Sequence, residues 1–286
     1  MTTHFDSHCW LDRPWYQALS ILPAALKTQI IGLGSSLDIN QPLPCFTHLN
    51  ELMKQRANEL NLPLFTLIPQ PELTIPYEAW IAQHHTIPTR SNWHDVFNAL
   101  IWLIFPRTKR MLNRIQASEI AAHGIMRTRV RDAATLFDEN AAILLCRDPK
   151  WFKALQQRQW TNTLWVQRDS FLQETRLIMF GHALLEKLQN PYKAITTHVF
   201  CLVVQEDLSH YFDWQRGWTS VSAMHCFDSL LSHKISELFE SNEFLPRSFI
   251  PLPVLGIPNW TIATAWKQNL MFYQDQQVFR LGKFFK

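Results

Sequence analysis

The feature that most constrains this fold is an almost wholly apolar segment at residues 92–105, NWHDVFNALIWLIF. Ser91 or Asn92 can cap a helix here, and Pro106 ends it because the residue before a proline is disfavoured in the helical region. Apolar residues occur all round this helix, so we expect it to be buried in the core. The longest apolar run of the chain, 97–105, is broken by Asn98 and is far too short to span a bilayer.

Three polar side chains, His94, Asp95 and Asn98, interrupt the front of this helix. Spacings of three and four residues place them on one side. A buried polar group without a partner costs roughly 1–3 kcal/mol, so these groups must be hydrogen-bonded, ligate something or face a cleft. A structural role is the alternative: Asp95 would be the N3 acid opposite an Asn92 cap, as in a capping box, and Asn98 would hold a loop in place.

Periodic apolar residues predict further helices at 46–60, 107–122, 182–188 and 219–240. After Gly124 the pattern changes to short apolar runs. AATLF and AAILLC, separated by the turn-forming triplet DEN, predict a β-hairpin over 133–146.

Two more apolar runs, TRLIMF at 175–180 and ITTHVFCLVV at 195–204, predict strands on either side of the helix 182–188. Their pairing could be parallel or antiparallel, because the connection is near the minimum length for a parallel crossover. The predicted fold class is α+β, with a mixed α/β arrangement as the alternative. It consists of a small sheet with a hairpin and a strand–helix–strand unit, packed by several helices.

The chain length and the absence of repeats predict a single domain over 1–286. Residues 1–90 are expected to form an irregular, Pro-rich cover on a main body at 91–260, followed by a C-terminal tail at 261–286. Four prolines predict that 246–260 is extended. A hydrophobic content of 47% excludes a disordered chain.

The cysteines and the N-terminal residues indicate the cellular compartment in which the protein is expected. The five cysteines are odd in number and form no CxxC pair, which favours reduced thiols over a disulfide scaffold or a zinc ribbon. The start, MTTHFDSHCWLDRPW, has no basic segment followed by an apolar run, so no signal peptide is predicted. We therefore expect a cytoplasmic protein.

A second polar cluster lies in FGHALLEKL, where a predicted strand meets Gly181 and enters a helix. α/β proteins commonly bind ligands at this end of a strand. His182 would lie in the first helical turn, where the helix dipole favours a neutral imidazole that can serve as ligand or base. Glu186 follows one turn later, so the pair could share a metal or form an oriented base. The alternative is the polar outer face of an amphipathic helix.

Asp138 and Glu139 belong to the predicted hairpin turn, where turn chemistry alone explains acidic residues. Two carboxylates beside basic residues could also hold Mg²⁺ or act as acid and base. Asp138 therefore joins His182 and Glu186 as the third residue of a candidate metal site.

The charge of the chain is uneven. Between Arg90 and Arg131, eight cations and two anions give a local charge of +6, whereas the whole chain carries +3. Such an excess favours an anionic partner, and guanidinium groups suit phosphate, so Arg107, Arg110 and Arg131 are candidate anion-binding residues. The alternative is a solvated basic face.

Four ordered strings, WHDVFNALIWLIFPRTK, RDAATLFDEN, FGHALLEKLQNPYK and LPVLGIPNW, resemble the bacterial family catalogued as domain of unknown function 3025. The resemblance covers roughly residues 75–280 and implies a bacterial protein, and it brings no established activity. Relatives have Gly after FDEN and after GIP, where this chain has Ala141 and Asn259. The motifs of serine hydrolases, P-loop enzymes, Rossmann dehydrogenases and zincins do not occur in the sequence.

The first functional hypothesis is a metal-dependent hydrolase that acts on an anionic, phosphate-containing substrate with a divalent metal as cofactor. Its candidate catalytic residues are His94, Asp95, Asn98, His182 and Glu186.

The alternative is a non-catalytic module that binds nucleic acid or protein through the basic face at 107–131 and exposed Trp151, Trp160 or Trp165. A third hypothesis gives all of these polar groups a structural role. No membrane partner is expected.

Overall fold

In the computed structural model, which describes residues 10–33, 43–260 and 268–281, the apolar segment at 92–105 forms the predicted buried helix. The α-helices of the described residues are α1 (Ala24–Ile31), α2 (Pro44–Glu59), α3 (Tyr77–His84), α4 (Trp93–Ile104), α5 (Pro106–His123), α6 (Arg129–Asn140), α7 (Lys150–Gln156), α8 (Arg168–Glu174), α9 (His182–Lys187), α10 (Val221–Glu240) and α11 (Leu270–Gln274). The five predicted helices are all present, with shifts of one or two residues at most ends.

The strands of the same residues are β1 (Thr66–Pro69), β2 (Thr86–Thr89), β3 (Ala141–Cys146), β4 (Thr175–Met179), β5 (Thr196–Val203), β6 (Phe212–Asp213), β7 (Gly217–Trp218) and β8 (Ile250–Pro253). The main sheet has the order β4-β3-β5-β8. β3 is antiparallel to β4 and parallel to β5, and β5 is antiparallel to β8. The protein is therefore α+β, as predicted. The two predicted strands β4 and β5 run in opposite directions and are separated by β3.

Strand β3 is the centre of the sheet, and every residue in it is buried. Its sequence, AAILLC, is a continuous apolar run, as expected for a strand covered on both faces. Phe137, at the end of α6, packs against Phe180 and Phe200 with ring centroids 4.9 and 5.4 Å apart. These contacts join the helix before β3 to the end of β4 and to the middle of β5.

The predicted hairpin over 133–146 is wrong, because 129–140 is helical and only 141–146 is a strand. The Thr128 side chain caps this helix by accepting a hydrogen bond from the Arg131 N–H at 3.1 Å. The apolar residues Val130, Ala133 and Phe137 recur at helical spacing and face the core. Asp138 and Glu139 therefore lie in the last turn of α6, not in a β-turn.

The N-terminal third is more regular than its prolines suggest. Its described part contains α1, α2 and α3, and strands β1 and β2 form a parallel pair. At the other end, Tyr273 holds α11 in place, because its hydroxyl donates to the Gly256 carbonyl at 3.0 Å. Residues 261–267 and 282–286 of the predicted tail lie outside the described residues, and 246–260 combines β8 with two short 3-10 turns.

Helix α5 starts directly after α4 and has no capping side chain of its own. Asp228 of α10 supplies the cap: its carboxylate accepts hydrogen bonds from the N–H groups of Arg107 at 2.8 Å and Thr108 at 3.0 Å. This long-range cap fixes α5 against α10. Among the described residues, no helix combines the length and the apolar character needed to cross a membrane.

Candidate metal centre

Two histidines predicted as separate clusters meet in space. His94, in the first turn of α4, and His182, the first residue of α9, have their Nε2 atoms 3.1 Å apart. Their rings are nearly perpendicular, with centroids 4.6 Å apart. Two imidazole lone pairs at this distance repel each other, so a proton or a metal ion must lie between them.

Glu139 completes this group from the last turn of α6. Its Oε2 atom lies 3.4 Å from His182 Nε2. One ligand atom from each of His94, Glu139 and His182 lies within 4.8 Å of the others. Two metal–ligand bonds of about 2.1 Å at a tetrahedral angle place their ligand atoms about 3.4 Å apart, so the separations of 3.1 and 3.4 Å from His182 Nε2 suit a common metal ion.

A close backbone approach positions these side chains. A Cβ atom on Gly181 would lie 2.5 Å from both Cα and N of Asn140 and 2.6 Å from the carbonyl oxygen of Glu139. These are backbone atoms that cannot give way, so glycine is required where α9 begins. The glycine allows His182 to start a helix directly against the end of α6.

Each histidine has a carboxylate at its other nitrogen. Glu186 Oε2 lies 3.3 Å from His94 Nδ1, and Asp138 Oδ1 lies 3.9 Å from His182 Nδ1. A carboxylate at hydrogen-bond distance, as Glu186 is from His94, orients a metal-binding histidine and raises its basicity. Asp138 is too far from His182 Nδ1 for a hydrogen bond and acts on this ring through its charge. The structure thus brings together five residues discussed from the sequence: His94, Asp138, Glu139, His182 and Glu186. Glu186 and Asp138 lie on the Nδ1 sides of the histidines, whereas Glu139 lies beside the His182 Nε2 atom.

The electrostatics of the group keep His182 neutral. Burial lowers the pKa of His182 to about 3, against the opposing effect of Asp138. Burial by itself would raise the pKa of Asp138, but the nearby Lys109 and then His182 outweigh it, so the pKa of Asp138 is lowered. Burial, followed by the charge of Asp138, raises the pKa of Glu139. A neutral imidazole is the form that binds a metal.

A buried lysine forms hydrogen bonds with Asp138 and Asn98 next to the two histidines. Lys109 of α5 donates to Asp138 Oδ1 at 2.5 Å and to Asn98 Oδ1 at 2.9 Å, and its ammonium lies 5.3 Å from the centroid of the Trp102 ring. The Asn98 amide donates in turn to the Tyr77 hydroxyl at 3.3 Å. Asn98 therefore links Tyr77 to Lys109, and Lys109 links Asn98 to Asp138.

Asp95 has a local role. Its backbone N–H donates to the Asn92 side chain at 2.8 Å, and its carboxylate accepts from the Arg90 N–H at 2.5 Å and from two guanidinium nitrogens of Arg90 at 3.1 Å each. The Asn92 cap is the one expected in the structural alternative, but the Asp95 carboxylate pairs with Arg90 and does not complete a capping box with the Asn92 N–H. These contacts fix the chain that leads into α4 and hence the position of His94.

The chain matches the family model described as Protein of unknown function (DUF3025) over residues 66–283, which is most of its length. The chain belongs to this family. No curated protein and no solved structure gives a significant match. Family membership therefore supplies no activity, and the chemistry has to be argued from the site itself. Three of the four DUF3025-like strings in the sequence contribute one member each to the centre: His94, Glu139 and His182.

The centre opens into a cavity of about 310 Å³. Besides residues of the cluster, its lining includes Tyr77, Glu78, Pro88 and Arg90. Glu78 was missed by sequence reasoning, because it lies in a Pro-flanked segment with no motif. Lys109 was counted only as part of a basic segment, since nothing in its local sequence reveals that it is buried.

The three candidate anion-binding arginines do not line this cavity. The Arg110 guanidinium donates to the carbonyl oxygens of Pro106 at 2.7 Å and Pro63 at 2.6 Å. The Arg131 guanidinium donates to the Met126 carbonyl at 2.8 Å. Arg107 is partly buried, and its N–H group is part of the α5 cap.

The proposed binding face is also weaker than the charge count suggests. Of the cations at 107–131, Lys109 is buried, while Arg114, Arg127 and Arg129 are exposed. Of the tryptophans expected to be exposed there, Trp151 and Trp160 are 4% and 3% exposed, and Trp165 is partly buried. The expectation that Trp151 and Trp160 are exposed is therefore wrong.

Proposed function

We propose that this protein is a metal-dependent enzyme of hydrolytic type, with His94, His182 and Glu139 as the metal ligands. The observation that carries the proposal is the convergence of two imidazole Nε2 atoms 3.1 Å apart with a carboxylate oxygen 3.4 Å from one of them. Two histidines and one carboxylate are a common ligand set of catalytic metals such as zinc, and they leave a coordination position for water.

This ligand set revises the candidate set of His182, Glu186 and Asp138. His182 stays a ligand. Glu186 becomes the group that orients His94 from its Nδ1 side at 3.3 Å, and Asp138 acts on His182 electrostatically from 3.9 Å. A metal ion between the two Nε2 atoms, which lie 3.1 Å apart, would replace their mutual hydrogen bond.

The chemistry follows from an open metal position in a cavity. A bound divalent ion lowers the pKa of a coordinated water, which makes a nucleophile near neutral pH, and it polarises a substrate carbonyl or phosphoryl oxygen. The cavity lining does not support the phosphate-containing substrate that the sequence suggested. Its carboxylates, Glu78, Asp95, Asp138 and Glu139, outnumber its cation Arg90, which is already paired with Asp95. A phosphate-containing substrate therefore has no support from the cavity lining.

The test is the metal content of untagged, freshly purified protein, measured by mass spectrometry before and after dialysis against Zn²⁺. We expect close to one equivalent of metal in the wild type and a loss of metal in His182→Ala and Glu139→Gln. His233→Ala is the matched control, because His233 lies on α10 with its side chain 75% exposed. Unchanged metal content in folded His182→Ala, or no metal in the wild type after dialysis, would contradict the proposal.

A further inference from the structure

Glu78 is a further carboxylate in the wall of the metal cavity, and it is not among the proposed metal ligands. It lies in the first turn of α3 and lines the same cavity as His94, Glu139 and His182. The side-chain amide of the buried Asn113, on α5, donates hydrogen bonds to Glu78 Oε2 at 2.6 Å and to the Glu78 carbonyl oxygen at 2.9 Å. This double contact fixes both the backbone and the carboxylate of Glu78 relative to the cavity.

The surroundings of Glu78 favour its protonated form. Among the described residues, no cation lies within 4.0 Å of its carboxylate in an ion pair. The nearest positive charge that acts on it, Lys109, is bound to Asp138 at 2.5 Å. Burial, followed by the charge of Asp138, raises the pKa of Glu78 to about 7, against smaller opposing effects of Lys109 and Asn113. A carboxyl group with this pKa can both accept and release a proton near neutral pH.

Two of the four cavity carboxylates, Glu139 and Glu78, therefore have different environments. Glu139 faces His182 Nε2 at 3.4 Å, in the position of a ligand. Glu78 contacts an amide and faces the open volume. Pairs of carboxylates with such different surroundings are typical of sites in which one group binds and the other transfers a proton.

We propose that Glu78 is the proton-transfer residue of this metal centre. This inference rests on the proposed function. With a divalent ion held by His94, Glu139 and His182, a carboxylate oxygen of Glu78 would accept a proton from a water molecule in the cavity. The O–H electron pair would stay on the water oxygen that attacks the substrate, and Glu78 would later deliver the proton to the leaving group. Asn113 is the positioning residue, since it holds the carboxylate towards the cavity.

The number of protons released when Zn²⁺ binds tests this role without a known substrate. A divalent ion in the cavity favours the ionised form of Glu78, so Glu78 gives up its proton on metal binding. Titration calorimetry of the apoprotein in buffers of different ionisation enthalpy counts these protons. We compare wild type, Glu78→Gln and the control Glu51→Gln, which changes an exposed residue of α2.

At pH 7 we expect wild type and Glu51→Gln to release about half a proton more per Zn²⁺ than Glu78→Gln, because a group with a pKa of about 7 is half protonated there. The difference should vanish at pH 9, and the Kd of Glu78→Gln should stay within about threefold of wild type. Equal proton release at pH 7 would overturn the role of Glu78.

Two other results have separate meanings. Loss of Zn²⁺ binding in folded Glu78→Gln, checked by circular dichroism, would make Glu78 a ligand and overturn its role in proton transfer. A wild type that binds no Zn²⁺ would overturn the proposed function itself, and this inference with it.

Discussion

Replacing Gly181 by alanine tests whether the close approach of α9 to α6 sets the geometry of the centre. The new Cβ would lie 2.5 Å from Asn140 Cα, whereas carbon atoms normally pack about 3.5–4.0 Å apart. Because the obstructing atoms are backbone, α9 must move away from α6 by about 1 Å to relieve the clash. Overpacking of this kind costs about 1–3 kcal/mol of folding free energy.

The same displacement acts on the ligands. A movement of about 1 Å would lengthen the distance from His182 Nε2 to Glu139 Oε2 from 3.4 Å to at most about 4.4 Å. Two metal bonds of about 2.1 Å at a tetrahedral angle separate their ligand atoms by about 3.4 Å. His182 and Glu139 would then be too far apart for this geometry unless their side chains rearrange, so we expect Zn²⁺ affinity to fall by about 10–100-fold.

Urea denaturation gives the stability of Gly181→Ala, and competition with a chelator gives its Zn²⁺ affinity. Gly124→Ala is the control. No atom lies within 4 Å of its added Cβ, but its φ of +63° strains any other residue by about 1–3 kcal/mol. The control should lose stability and keep its Zn²⁺ affinity. A folded Gly181→Ala protein with wild-type affinity, or equal losses of affinity in both variants, would refute the reasoning.

Three further predictions concern the groups around the ligands. Asp138→Asn should lower Zn²⁺ affinity by about 10–100-fold in chelator competition, because it removes the charge beside His182 Nδ1, and unchanged affinity would contradict that role. Lys109→Met should cost about 3–5 kcal/mol in urea denaturation, since it leaves the buried Asp138 unpaired, and a loss below about 1 kcal/mol would show that Asp138 finds another partner. The metal-free protein should lose stability as the pH falls from about 6.5 towards 3, because His182 binds a proton readily only when unfolded, and His182→Gln should show a smaller loss in denaturation at several pH values.

The sequence was sufficient to predict an element where the residues that begin or end it agree with a long apolar run. Asn92 and Pro106 bound α4 by capping and by steric exclusion, and both effects act within a few residues. Gly181 marked the junction of β4 and α9 for a similar reason. The pairing of His94 with His182 could not be predicted, because it depends on how α4 and α9 pack against each other across 88 positions of sequence.

The failure at α6 had a detectable cause. Two short apolar runs on either side of the turn-forming triplet DEN favoured a hairpin, but Val130, Ala133, Ala134 and Phe137 have the i, i+3, i+4, i+7 spacing of a buried helical face. Alanine is also the best helix former, which the hairpin interpretation overlooked. A helix through this segment would have placed Glu139 in a last turn beside the sheet.

Charge counting failed for a different reason. It records how many cations a segment carries and not which of them are used inside the fold. Lys109 lies in the core with Asp138, and Arg110 and Arg131 satisfy carbonyl oxygens. Burial of this kind is a tertiary property, so a local excess of +6 does not by itself describe a binding surface.

The direct junction of α6 and β3 limits how this protein can vary. Asn140 is the last residue of the helix and Ala141 is the first of the central strand, with no linker between them. One inserted residue would turn Glu139 about the helix axis by about 100° or shift every β3 side chain to the opposite face of the sheet. Neither change can be absorbed locally. The exposed connection at 124–127 can change in length, whereas the junction beside Glu139 can diversify only by substitution.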